Sequence, residues 1–313
     1  MKIPVVFYQG RSFNLVTFGL FSAIGSIISY FICFYYLYSQ GFDIAPISWK
    51  IIMILLVFNL FFAKFYSFFD IGISGYIKNL KKNLNSTSFY QQGGLIGVIL
   101  GTILLYFLLD IPIAVLGDAV CLGGIATMAI GRLGCYNYGC CTGKPTNSKI
   151  GLKYDDPKAR ICRDHPDFLH VPLIPIQLFS SAADFLILII CGLVAIYFPH
   201  SGLIMIIIFL GINLKRILIQ PYRYKNQSNR IPYRIVAFGL IACFIIISIT
   251  FYFSGETFFE YKEPVVPYSF SNFFKFLVSD FSILASVIAG GIINFIAYGI
   301  HGRKLGTYFN LKS

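Results

Sequence analysis

The chain is 313 residues long, 57% hydrophobic and 12% charged, and its 25 Lys and Arg against 13 Asp and Glu give a net charge of +12. Soluble domains carry about 25% charged residues, so a water-exposed globule is excluded. Nucleic acid is not the expected partner, because the basic residues border apolar spans; anionic phospholipid is the natural counterion.

The segment Met1 to Arg11 is short and mixed, and no small-residue cleavage site follows, so the first span is expected to act as its own insertion signal. Crossing the hydrocarbon takes roughly 20 apolar residues. Spans are predicted at Phe13–Tyr38, Trp49–Phe69, Gly93–Leu109, Ile111–Ile130, Pro175–Phe198, Leu203–Ile219, Ile235–Phe253 and Phe276–Ile300. The third and fourth are separated only by Asp110 and predict a tight helical hairpin. An even count puts both termini on one side. The expected fold is an all-α integral membrane protein, a single polytopic domain over 1–313. Seven or eight transmembrane helices would surround a central lipid cavity, with an extramembrane loop at about 131–173 and an extra span at about 235–253. The 33 Phe and 21 Tyr suit lipid-facing surfaces and interfacial belts.

Basic loops gather on one face: Lys78, Lys81 and Lys82 after the second span, the long insertion after the fourth, and Arg223 to Arg234 after the sixth. The opposite loops hold little beyond Lys50, Lys262 and Lys275. By the positive-inside rule that basic face is cytoplasmic.

Ionisable residues beside or within spans are costly and mark candidate sites. Arg132, in Gly131-Arg132-Leu133-Gly134-Cys135, is expected where a membrane helix ends, and its planar fork of donors suits phosphate. Asp118 lies mid-span, where it either packs helices together, pairs with Arg132 or acts directly. Lys64 snorkels or faces a cavity. Arg216, Gln220 and Arg223 share one helical face if Pro221 does not break the helix first, and would form an anion clamp. Cys33, Cys121, Cys191 and Cys243 read as small hydrophobes. Cys135, Cys140, Cys141 and Cys162 cluster around the long loop. A zinc site with His165 or His170, a disulfide to Cys162 and a nucleophilic thiol all stay open, although the paired two-residue spacing usual for zinc is missing.

Gln92-Gly93-Gly94-Leu95-Ile96-Gly97, then Asp118, then Gly131-Arg132-Leu133-Gly134 resembles the phosphatidylglycerol–prolipoprotein diacylglyceryl transferases. Pro175-Ile176-Gln177-Leu178-Phe179 is similar to their His-Pro-x-Gln-Leu-Tyr-Glu segment, and Arg216 with Arg223 to their Arg-x-x-x-Glu-x-x-Arg element. The motifs follow the family's order from Gln92 to Arg223. The resemblance implies transfer of diacylglycerol from phosphatidylglycerol to a lipobox cysteine of a prolipoprotein signal segment, with release of glycerol 1-phosphate, in the bacterial cytoplasmic membrane. Arg132, Arg216, Gln92 and Cys140 would be catalytic. Gly93, Gly94, Asp118, Gly134, Cys135, Gly143, Gln177, Gln220 and Arg223 would bind substrate, the paired glycines allowing lipid or backbone to approach. No metal or organic cofactor is implied.

The chain departs from the pattern where protons are handled. Gln92 stands for the family's His, Cys135 for Asn, Cys140 for Glu, Ile174 for His, Ser180 and Gln220 for Glu, and Ile212 for Tyr, as in a divergent Gly-Cys-Cys branch. An eighth span exceeds the family's usual seven. The family places its arginine motifs toward the periplasm, against the loop charges; headgroup binding gives those basic loops a separate reason to exist, so the periplasmic side is taken here. The rival functions are a phospholipid-dependent transferase with another acceptor, a non-catalytic lipid-binding or transport protein, and a thiol or metal redox protein.

Overall fold

The computed structural model describes residues 3–224 and 259–309. Two short strands, β1 (Val6–Gln9) and β2 (Phe13–Val16), lead into α1 (Thr17–Ser39). There follow α2 (Ser48–Phe65), α3 (Ser67–Lys78), α4 (Leu80–Asn85), α5 (Gln91–Leu108) and α6 (Ile113–Tyr138). The long loop carries β3 (Leu152–Lys153), α7 (Arg160–Asp164) and β4 (Pro172–Leu173). Then come α8 (Ile176–Tyr197), α9 (Leu203–Ile219), α10 (Phe270–Ser279), α11 (Phe281–Gly299) and β5 (Ile300–Gly302).

Among the described residues seven helices are long and apolar enough to cross a membrane: α1, α2, α5, α6, α8, α9 with its terminal turn, and α11. At 1.5 Å per residue even an 18-residue helix reaches about 27 Å, close to the hydrocarbon thickness. The seventh predicted span, Ile235–Phe253, lies outside the described residues. Tyr261 bridges His200 at the end of the bundle opposite the sheet.

The helical bundle, as expected from the sequence, also carries a short three-stranded antiparallel sheet, ordered β1-β2-β5. It joins the start of α1 to the end of α11, so both ends of the described chain meet on one side. Buried Asn14 locks it, donating from Nδ2 to Gly302 O at 2.8 Å.

The helix of the fourth span runs past its predicted end at Ile130 to Tyr138. Gly131 and Gly134 do not stop the helix; Gly134 is buried against Phe18 and Phe21 of α1. α6 is the most enclosed helix and packs on α1, α8 and α9. Its run of Gly and Ala permits that, because membrane helices associate by close van der Waals packing rather than by a hydrophobic drive. The main apolar core, with Phe34, Leu37, Ile51, Leu105, Leu116 and Phe276, sits toward the end away from the sheet.

The hairpin between α5 and α6 turns over four residues, yet α5 packs chiefly along α2. A Cβ on Gly93 would stand 2.2 Å from Phe62 O, and one on Gly97 2.3 Å from Phe58 O. The two helices therefore touch backbone to backbone. Gly93→Val or Gly97→Val is expected to force them apart and lower the thermal unfolding midpoint by several degrees, whereas Gly192→Ala, with nothing within 4 Å, leaves it unchanged. Equal midpoints for all three variants would contradict this packing.

Candidate active site

The opening turn of α5 holds two arginines brought from other helices. Arg132, nearly two turns before the end of α6, donates from Nη2 to Gln91 Oε1. The Gln92 carboxamide, turned so that its oxygen meets the guanidinium, accepts from Arg216 Nη2 at 2.5 Å and Nη1 at 3.2 Å. Arg216 stands in the last turn of α9. Adjacent amides on one helix thus set two cationic forks side by side, with the positive end of the α5 dipole beneath them.

These residues line a cavity of about 2000 Å³ that runs from Tyr30, Leu55 and Val120 within the bundle to the loops at the sheet end. Ordinary small-ligand pockets measure about 300–1,000 Å³, so this one has room for a much larger, apolar-tailed molecule. Its lining includes nine Lys or Arg residues and one carboxylate, Asp164. An apolar floor and a cationic mouth are complementary to an anion with a hydrophobic tail.

Gln92, Gly94, Arg132, Cys135, Cys140, Arg216, Gln220 and Arg223 all line it. Pro221 does break the helix: α9 stops at Ile219, a 3₁₀ turn follows over Gln220–Tyr222, and Arg223 is extended, bridging Gly143. Arg216 thus reaches the cavity from α9, and Gln220 and Arg223 from that turn and its end, rather than as one helical stripe.

α6 ends at Gly139 in the left-handed conformation (φ 73°), with Cys140 N–H donating to Cys135 O at 3.1 Å and Gly139 N–H to Tyr136 O at 3.2 Å. This Schellman closure folds Cys140 back beside Cys135. Cys141 is also left-handed (φ 54°), which costs a residue with a Cβ about 1–2 kcal/mol. The Sγ atoms of Cys135, Cys140 and Cys141 consequently lie within 4.8 Å of one another. Hydrogen bonds from the Cys135 and Cys140 thiols, helped by Arg223 and Arg132, hold Cys141 well below the usual thiol range. Cys162 is a buried free thiol outside this trio, so the disulfide reading fails. The two histidines stay apart too: His170 faces Asp155 at 3.0 Å, and His165 packs edge-on against Tyr224.

The remaining predicted residues do not line the cavity. Gln177, buried, donates to Cys140 O at 2.8 Å and fixes that carbonyl. Gly143 presses on Ile174, where a Cβ would stand 2.4 Å from its carbonyl oxygen. Gly93 meets α2 rather than the cavity. Asp118 does not pair with Arg132: fourteen residues along one helix separate them by about 21 Å. Instead its carboxylate accepts from Gly202 N and Met205 N, each at 2.7 Å, capping the start of α9 at the far end. Lys64 donates to Ser86 O and lies over Phe89 and Tyr308.

Sequence reasoning missed Gln91, hidden beside the motif residue Gln92, and a buried ion pair between Lys215 Nζ and Asp184 Oδ1 joining α9 to α8. Asp184 is wholly buried, and its charge acts on both Lys215 and Arg132. An acid and a base in neighbouring apolar spans was the signal that could have found them.

A family model for prolipoprotein diacylglyceryl transferases matches residues 4–256, most of the chain. The chain belongs to that family. Phosphatidylglycerol–prolipoprotein diacylglyceryl transferase 2 of Clostridium perfringens (strain 13 / Type A) is 35% identical over 97 residues, covering 31% of this chain and 35% of that relative. The alignment thus spans about a third of the relative's length.

In this member of the diacylglyceryl transferase family, the sheet strand that lines the cavity through His301 also carries a pH-sensitive group. Burial, with Arg163 and Arg160 adding to it, pushes His301 down to about 4. The unfolded chain takes up a proton near pH 6.5 that the folded state refuses until about 4, so stability falls as pH drops through that window, by on the order of 3 kcal/mol. Thermal unfolding in detergent between pH 7 and 4 is expected to show that loss, and His301→Asn to flatten it; an unchanged slope in the variant would remove His301 as the cause.

Proposed function

We propose that this chain transfers the diacylglyceryl group of phosphatidylglycerol to the cysteine thiol of a prolipoprotein signal segment. It would do so in the bacterial cytoplasmic membrane, with the arginine-bearing end of the bundle facing outward. The observation that carries this reading is the pair Arg132 and Arg216, set by Gln91 and Gln92 on the wall of a cavity with an apolar interior.

In this reaction the acceptor sulfur attacks the glycerol carbon that bears the phosphodiester oxygen. The C–O bond breaks, its electron pair stays on that oxygen, and glycerol phosphate leaves with one more negative charge than the diester had. Guanidinium forks already fixed in place stabilise the growing charge without reorganising. Arg132 and Arg216 would grip the phosphate, Arg223 would widen the cationic wall, and Gln92 would aim Arg216. The acyl chains would occupy the apolar depth near Leu55 and Val120. Gln92 cannot accept a proton as a histidine does. That favours one second reading, a lipid-binding protein which keeps the anion site and turns nothing over.

Expression in a bacterium depleted of its own diacylglyceryl transferase separates the two. Restored lipoprotein processing that Arg132→Ala abolishes supports the transferase. Correct membrane insertion with no processing would leave lipid binding.

A further inference from the structure

The thiol trio lies on the cavity wall, and Cys135 follows Arg132 by one helical turn on the same face. The backbone holds it there: the Schellman turn at Gly139 fixes Cys140, the left-handed Cys141 turns the next thiol inward, and Gln177 pins the Cys140 carbonyl. In a tetrahedral zinc thiolate a Zn–S length of about 2.3 Å spaces the sulfurs about 3.8 Å apart. The observed separations, all within 4.8 Å, close to that value by side-chain rotation of about an ångström. Among the described residues no fourth His, Cys, Asp or Glu joins the group, so an ion held here keeps one position open. Three thiolates with Zn²⁺ carry one net negative charge, and Arg132 and Arg223 line the same cavity to offset it.

We propose that Cys135, Cys140 and Cys141 bind zinc through three thiolates and present the open fourth position to the acceptor thiol. This deepens the transferase reading and rests on it for the identity of the acceptor. Alkylating a thiol requires its thiolate, and coordination to zinc removes that proton outright. The acceptor thiol enters at the open position, and its proton passes to water in the cavity. Its sulfur then forms a bond to the glycerol carbon as the C–O bond breaks, and the electron pair goes to the phosphate oxygen between Arg132 and Arg216. One thiol and one phosphatidylglycerol give one thioether, one glycerol phosphate and one proton. Nothing is oxidised or reduced. The neutral thioether is a poor ligand and leaves. A metal-bound thiolate thus supplies what Gln92 cannot.

The test is cobalt titration of the reduced, chelator-stripped full-length protein in detergent, with zinc as competitor. About one cobalt per chain, with a sulfur-to-metal charge-transfer band that zinc abolishes, is expected. Cys135→Ser, Cys140→Ser and Cys141→Ser should each weaken binding at least about tenfold, with the thermal unfolding transition retained, while Cys162→Ala binds as the parent does. A lipobox peptide should shift the band, and its Cys→Ser version should not. No charge-transfer band, or a disulfide within the trio of freshly purified protein, would overturn the proposal. Because no phospholipid is present, metal binding stands or falls apart from transfer. Full transfer by metal-free protein would sink the zinc role alone, and a cobalt site without any transfer would sink the transferase reading.

Discussion

Arg132→Ala and Arg216→Ala are each expected to lower diacylglyceryl transfer at least about a hundredfold, with the folded state kept. Both guanidiniums line the cavity, and their hydrogen-bond partners are the amides of Gln91 and Gln92. Truncation removes a preset donor from the leaving phosphate and leaves the Gln91 or Gln92 amide without its guanidinium. Lysine at either position should recover a small part of the rate, since it keeps the charge but not the planar fork. Initial rates, read beside thermal unfolding, decide the matter. A rate within twofold of the parent for either alanine variant would take that arginine out of the chemistry.

The second large effect is on stability. Asp184 is wholly buried and Lys215 nearly so, and the pair bonds α8 to α9 directly behind Arg216. Removing one partner leaves an uncompensated charge in a low-dielectric bundle, a loss of about 3–5 kcal/mol for a buried pair. Asp184→Ala and Lys215→Met are each expected to lower the unfolding midpoint strongly. Asp184→Leu combined with Lys215→Met should regain most of the loss, because two apolar groups of similar volume need no desolvation. Additive losses in the double variant would show that the charges do not interact. The double variant also reports on positioning: Lys215 precedes Arg216, so a restored fold with a slower rate would assign the pair to holding that arginine in place.

Much of this fold is legible in the chain. Seven spans follow from unbroken apolar length, which lipid demands because every backbone group must be satisfied within the helix. Arg132 and Arg216 stand out because charge beside a span is costly. What one dimension conceals is who meets whom. Asp118 is visible as a buried carboxylate, but its partners are the backbone amides that open α9, far from Arg132. Asp184 and Lys215 dissolve into apolar averages, and only packing pairs them. The cysteines lack the usual zinc spacing because a helix end, not a hairpin of paired cysteines, gathers them. The helix of α6 outlasts the apolar run that ends at Ile130, and Gly139, in the left-handed conformation, is where it stops. The sheet escaped notice because strands of three or four residues leave almost no periodic trace.

The most direct measurement incubates purified protein with phosphatidylglycerol and a lipobox peptide, then weighs the peptide and counts the glycerol phosphate released. A peptide heavier by one diacylglyceryl group, matched by an equal amount of glycerol phosphate, is the predicted result. An unmodified peptide beside phosphatidylglycerol retained intact by the protein would contradict the transferase and leave a lipid-binding cavity in its place.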